Sequence, residues 1–325
     1  MTAVHPMWMN YPELHEELKQ VKKLMRDSIQ IENKAIKDAI LSVLDSGGKM
    51  VRPAYLILFS MWNDNRNKEE VRAIAAALEL LHVATLFHDD VIDESSVRRG
   101  QETISAKFGN RVAIYAGDYL LTVCYQLLSS YSKDLVNIQI PTRGMMQVIQ
   151  GELSQMEERY RLDVTVQDYL KRIEGKTAQL FMLSCMMGER FSLLKEEARA
   201  RQIGHAIGMS FQILDDILDY EIDADQFGKP VLEDVAQGVY TLPLIMAFPK
   251  REKELRSLLE KKESISDGER KKVQQLVLKS GGVDSAKVLA KKYTDRALQQ
   301  IERLPEKNVK SMLYDITSRL LQREY

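Results

Sequence analysis

Apolar positions recur along most of the chain at the three- and four-residue spacing of a helix, and no run alternates convincingly in the manner of a strand. The pattern predicts roughly a dozen helices, near 30–45, 53–62, 68–93, 110–131, 134–159, 165–187, 197–222, 234–248, 252–262, 267–279, 283–303 and 307–323. Start signals repeat: Asn67 with Glu70, Thr165 with Asp168, and Ser266 with Glu269 each have the form of a capping box or a close variant. Stop signals fall at Gly100, at Gly281-Gly282 and at Pro305. With no long Ser/Pro/Gly linker and no fixed-period repeat, the expectation is one all-α domain over residues 1–325.

Two acid clusters interrupt this pattern, each at the end of an apolar helical run. The first is Asp89-Asp90-Val-Ile-Asp93 and the second Asp215-Asp216-Ile-Leu-Asp219. Asp89 and Asp93 are four apart, as are Asp215 and Asp219, so each pair projects from one helix face. No Lys or Arg one turn away neutralises either cluster, and like charges at that spacing cost a helix roughly 0.2–0.5 kcal/mol per pair. Hard carboxylate oxygens suit Mg²⁺, which keeps several waters and bridges a few carboxylates to substrate phosphates. Basic residues stand close by. Gly47-Gly48-Lys49-Met50-Val51-Arg52-Pro53 sets a flexible pair before two cations, with Pro53 in the first turn of an apolar helix. Arg98-Arg99 follows the first cluster by little more than a turn. Arginine offers a planar fork and lysine a point charge for phosphate oxygens. A magnesium–diphosphate site is the leading reading.

Composition narrows the alternatives. Net charge is −1 with neither half strongly one-signed, which argues against nucleic acid as a partner. Cys124 and Cys185 lie in apolar helical runs and read as buried, reduced thiols of a cytoplasmic protein. The N-terminus lacks the form of a signal peptide, and charge interrupts each apolar run before a transmembrane segment would be complete. The mixed charges between Lys250 and Lys279 read as solvated helix faces. Met145, Met146, Met156, Met182, Met186 and Met187 read as core filling.

Taken in order, Gly-Gly-Lys49-x-x-Arg52-Pro53, His82, Asp89-Asp90-x-x-Asp93 with Arg98-Arg99-Gly100, Lys176-Thr177, Phe211-Gln212-x-x-Asp215-Asp216-x-x-Asp219 and Gly228-Lys229-Pro230 resemble the trans-isoprenyl diphosphate synthases. The likeness spans nearly the whole chain and is nearest the hexaprenyl and heptaprenyl types of Gram-positive bacteria. It implies an antiparallel helical bundle around a deep central cavity, a homodimer, and two Asp motifs facing each other across the cavity mouth. By position, Asp89, Asp93 and Asp215 would ligate Mg²⁺, about three ions with diphosphate bound, supported by Asp90, Asp216 and Asp219. Arg98, Lys176, Thr177, Gln212 and Lys229 would hold an allylic diphosphate; Lys49, Arg52, His82 and Arg99 would hold isopentenyl diphosphate. Met50 departs from the arginine frequent in the family, which removes one diphosphate contact and leaves Lys49 and Arg52. Some Gram-positive relatives also need a small regulatory partner subunit, and the sequence leaves that open.

The implied chemistry is positioning plus electrostatics: the allylic C–O bond ionises, the isopentenyl double bond attacks the cation, and a proton leaves. Counting back from Asp89 along its helix gives Thr85, Leu81 and Leu78, with Ala84 on the flank. Short-chain members of the family tend to place an aromatic where Ala84 and Thr85 stand. Each turn left open rises ~5.4 Å, about one isoprene unit, so the product is expected to exceed farnesyl length. The alternative is that these small residues only pack and that the floor is formed near 119–128. A class I terpene cyclase fits less well, because its second motif normally mixes Asn, Ser or Thr with Glu. A non-catalytic scaffold would have no use for clustered acids.

Overall fold

Pro12 at the first helical position starts an N-terminal helix, α1 (Pro12–Asp27), whose apolar stripe of Leu14, Leu18, Val21 and Met25 is buried. In the computed structural model, which describes residues 4–46, 48–98, 100–221 and 232–322, it is followed by α2 (Lys34–Asp45), α3 (Val51–Ser60), α4 (Lys68–Ile92), α5 (Ile104–Phe108), α6 (Asn110–Tyr131), α7 (Val136–Glu157), α8 (Val166–Ile173), α9 (Gln179–Arg190) and α10 (Glu197–Glu221). Shorter helices Glu233–Ala236, Leu242–Ala247 and Glu252–Leu259 lead into Asp267–Lys279, Gly282–Glu302 and Asn308–Gln322. The expected caps form. Asn67 accepts from the Glu70 N–H, and Thr165–Asp168 and Ser266–Glu269 close as reciprocal boxes.

Two long helices organise the rest. α4 is buried over most of its length and packs on α1, α3 and α6; α10 packs on α9 and on Gly282–Glu302. One apolar cluster surrounds α3, α4, α6 and α9, and a second joins α8 and the C-terminal part of α10 to the later helices. Close backbone approach is what brings α10 to its neighbours. A Cβ on Gly208 would collide with Ala178, including its Cβ at 2.9 Å. Likewise a Cβ on Gly151 of α7 would lie 3.1 Å from the Gly175 carbonyl carbon. These two notches seat the segment 174–178 between α7 and α10.

The all-α expectation holds, with several local corrections. The helix expected over 165–187 is broken by a π-helical turn, Glu174–Ala178, so α8 and α9 are separate elements. That expected over 234–248 is two short pieces. α1 was not among the expected helices. Gly100 does not stop a helix: it has φ +75° in a two-residue hairpin, β1 (Val97–Arg98) with β2 (Gln101–Glu102). α4 proves long and apolar enough to cross a membrane by length and composition, yet 72% of its most apolar window is buried within the fold. Both cysteines are buried and free. Met146 and Met156 are not core; they lie exposed on α7.

Gly208→Ala is expected to lower unfolding free energy by about 1–3 kcal/mol through overpacking against Ala178. Gly268→Ala, in helix Asp267–Lys279 with no atom within 4 Å of the new methyl, should instead gain up to ~1 kcal/mol. Denaturant unfolding of both variants checks the contrast; equal effects would contradict the notch.

Candidate active site

α4 and α10 both deliver carboxylates on their C-terminal turns, where the helix already carries roughly −0.5 charge from its unpaired carbonyls. Asp89 and Asp90 occupy the last turn of α4, and Asp93 caps it, its N–H donating to the Asp89 carbonyl at 2.8 Å. Asp215, Asp216 and Asp219 occupy the last two turns of α10, and neither helix has a basic residue in its last turn. Each terminus is therefore unfavourable by itself and attractive to cations.

Within each cluster the middle acid is turned into the protein. Asp90, 5% exposed, accepts from Arg98 Nε at 2.6 Å. Asp216, equally buried, accepts from Tyr169 OH and Gln212 Nε2, both at 2.7 Å. Gln212 is held by Thr177, whose hydroxyl donates to its Oε1 at 2.6 Å. Asp89, Asp93 and Asp215 instead line a cavity of about 500 Å³. Asp219 is exposed outside its lining.

Basic residues share the lining with these acids. Lys49, Arg52, His82 and Arg98 line the same cavity, as do Lys176, Thr177 and Gln212. Met50 sits among them at φ +50°, a left-handed conformation uncommon for a side chain of its size. Trp8 Nε1 donates to the Lys49 carbonyl at 2.7 Å, and the Arg52 guanidinium lies 5.1 Å from the Phe181 ring centroid. Thr85, Leu86, Val148, Leu180 and Phe211 add apolar wall. The expected chain-length set is divided: Thr85 faces the cavity, whereas Ala84 and Leu81 are wholly buried in the core and do not line it. The residues of 119–128 do not line it either. Arg99 and Lys229, together with Gly47, lie outside the described residues.

Burial pushes the Asp89 carboxyl up to about 6 against the pull of Lys176, with Glu152 and Asp93 adding to the rise. Burial likewise pushes Asp216 up to about 7; its Tyr169 and Gln212 donors oppose this, and Asp234 and Asp215 reinforce it. Lys176 loses from burial but gains more from Asp89 and Glu152, so its pKa is raised. It owes its place to the π-helical turn and to the Gly151–Gly175 contact, which set it 3.0 Å from Glu152 Oε2.

Several members of this site have no signal in the local sequence. Glu152 holds Lys176, Tyr169 holds Asp216, and Arg159 holds Asp93 with Nη2 at 3.2 Å from Oδ1. The acids of the first cluster therefore do have cationic partners, Arg98, Lys176 and Arg159, from other elements rather than from their own helix. Among the described residues no three acidic, His or Cys side chains converge tightly enough to hold an ion alone. The donor set still suits a hard divalent cation whose remaining ligands come from water and phosphate.

The polyprenyl synthetase family model matches residues 33–278. Heptaprenyl diphosphate synthase component 2 of Geobacillus stearothermophilus is 33% identical over 97% of this chain and 98% of its own. Among solved structures, geranylgeranyl pyrophosphate synthase from Lactobacillus brevis aligns with a TM-score of 0.94 at 42% identity, covering 98% of this chain and 99% of that one. Heptaprenyl diphosphate synthase from Staphylococcus aureus aligns with a TM-score of 0.90 at 36% identity, over 96% and 99%. With a family match across most of its length and relatives that span it nearly end to end, the chain belongs to the polyprenyl synthetase family of trans-prenyltransferases.

Proposed function

We propose that the cavity condenses an allylic diphosphate with isopentenyl diphosphate and repeats the step to a product longer than farnesyl. The reading rests on one observation: acids from two helix C-termini, basic side chains and apolar side chains line one cavity. Family members are metal-dependent. Here Asp89, Asp93 and Asp215 would hold Mg²⁺, with Asp90, Asp216 and Asp219 in support. When bound, the metal would neutralise the leaving diphosphate and so favour ionisation of the allylic C–O bond. Lys176, Arg98, Thr177, Gln212 and Lys229 would grip that diphosphate. Lys49, Arg52, His82 and Arg99 would orient the second substrate so that its double bond meets the allylic carbon. Loss of a proton to the departing pyrophosphate completes the step. The apolar wall keeps water from the cation.

A single domain over 1–325 accommodates this chemistry. The outer faces of α6 and α7 expose Tyr115, Tyr125, Met146, Ile149, Leu153 and Met156, an apolar stretch suited to a second polypeptide. A second copy is the proposed occupant. The designation "component 2" of the heptaprenyl relative speaks for a partner subunit in that enzyme.

Asp89→Ala or Asp215→Ala is expected to abolish turnover while the far-ultraviolet circular dichroism stays that of the parent. Near-parental activity of either variant at saturating Mg²⁺ would overturn the metal assignment. Product length gives a second check. Thr85→Phe should shorten the product towards farnesyl or geranylgeranyl length with little change in melting temperature, because its ring enters open cavity. Ala84→Phe should instead cost about 1–3 kcal/mol by overpacking closed core. Thin-layer sizing and thermal melts decide; an unchanged product in Thr85→Phe would mean that the tail runs elsewhere.

A further inference from the structure

Arg159 lies just past the C-cap of α7, Glu158, between two residues that anchor the chain on either side of it. Glu158 pairs with the buried Arg172 at 3.0 Å. Tyr160, at φ +61°, donates its N–H to the Gly238 carbonyl at 2.9 Å and its hydroxyl to the Ala236 carbonyl at 2.8 Å. The strained conformation at Tyr160 is thus held by two hydrogen bonds, and it turns the preceding residue towards the end of α4. There Arg159 Nη2 reaches Asp93 Oδ1. Its Nε is buried with no hydrogen-bond partner, so the fork gives up a donor to keep this placement.

We propose that Arg159 is the removable counter-ion of Asp93: it pairs with the carboxylate and is displaced when a divalent cation binds there. The inference rests on the metal reading above. Asp93 caps a helix C-terminus beside Asp89, so without a cation it faces both the helix dipole and a like charge. A guanidinium at Asp93 relieves both. It also repels an incoming metal, and with both side chains 28% exposed the pair is partly screened by solvent and can exchange. Arg159 is therefore a positioning residue, and its loss should bear on metal affinity rather than on the chemical step.

The test uses the full chain and Mn²⁺ as probe, read by thermal melts in chelator and in graded Mn²⁺ with inorganic pyrophosphate. Arg159→Gln should melt below the parent in chelator and show the larger Mn²⁺-induced rise. Half-maximal stabilisation should come at about three- to tenfold lower Mn²⁺. Arg159→Lys, which keeps the charge, should behave as the parent. In an Asp93→Asn background Arg159→Gln should bring no gain. An equal or smaller Mn²⁺ response in Arg159→Gln would overturn the role, as would a gain that persists without the Asp93 charge. Absence of any Mn²⁺ response in the parent would instead remove the cation site, and the proposal with it.

Discussion

Two helices end with their negative poles and their carboxylates directed at one cavity, and much of the molecule can be understood as accommodating that conflict. A carboxylate at a helix C-terminus is disfavoured by the dipole, by its neighbours and, where partly buried, by desolvation. The raised pKa values of Asp89 and Asp216 express that cost. The fold relieves it in two ways. One acid of each cluster is drawn inward and satisfied by the protein, Asp90 by Arg98 and Asp216 by Tyr169 and Gln212. Asp89, Asp93 and Asp215 stay at the cavity, where Lys176 and Arg159 offset part of the charge of the first two and a divalent cation with diphosphate would offset the rest.

This arrangement demands precise helix placement, which small residues provide. Gly208 admits Ala178 against α10, and Gly151 meets Gly175, so the π-helical turn lies between α7 and α10. The same turn aims Lys176 at the first cluster and Thr177 at Gln212, one helical turn from Asp216. A π turn widens the helix locally, and here it lets adjacent residues serve the two clusters. Catalysis in such a site needs no protein nucleophile; it needs charge held in place and water kept away.

Much of this was legible in the sequence because it is local. Four-residue spacing put Asp89 with Asp93 and Asp215 with Asp219, and the pairs at Asn67–Glu70, Thr165–Asp168 and Ser266–Glu269 marked real helix starts. What the sequence did not reveal depends on tertiary approach. Glu152, Arg159 and Tyr169 lie far from their partners along the chain and carry no distinguishing spacing. Helical counting placed Ala84 near the cavity wall, but packing assigns that face to the core and leaves Thr85 at the opening. The break at 174–178 is likewise invisible to apolar periodicity, since α9 is buried on nearly every side and has no single stripe whose phase could reveal the shift.

The central claim, that this chain alone carries a complete cation-dependent condensation site, is tested most directly by incubating the purified protein with farnesyl diphosphate and isopentenyl diphosphate, with Mg²⁺ or with chelator, and sizing the lipid products. The account predicts consumption of isopentenyl diphosphate and products longer than farnesyl, only when Mg²⁺ is present. Extension in chelator, or farnesyl diphosphate returned unextended with Mg²⁺, would contradict it.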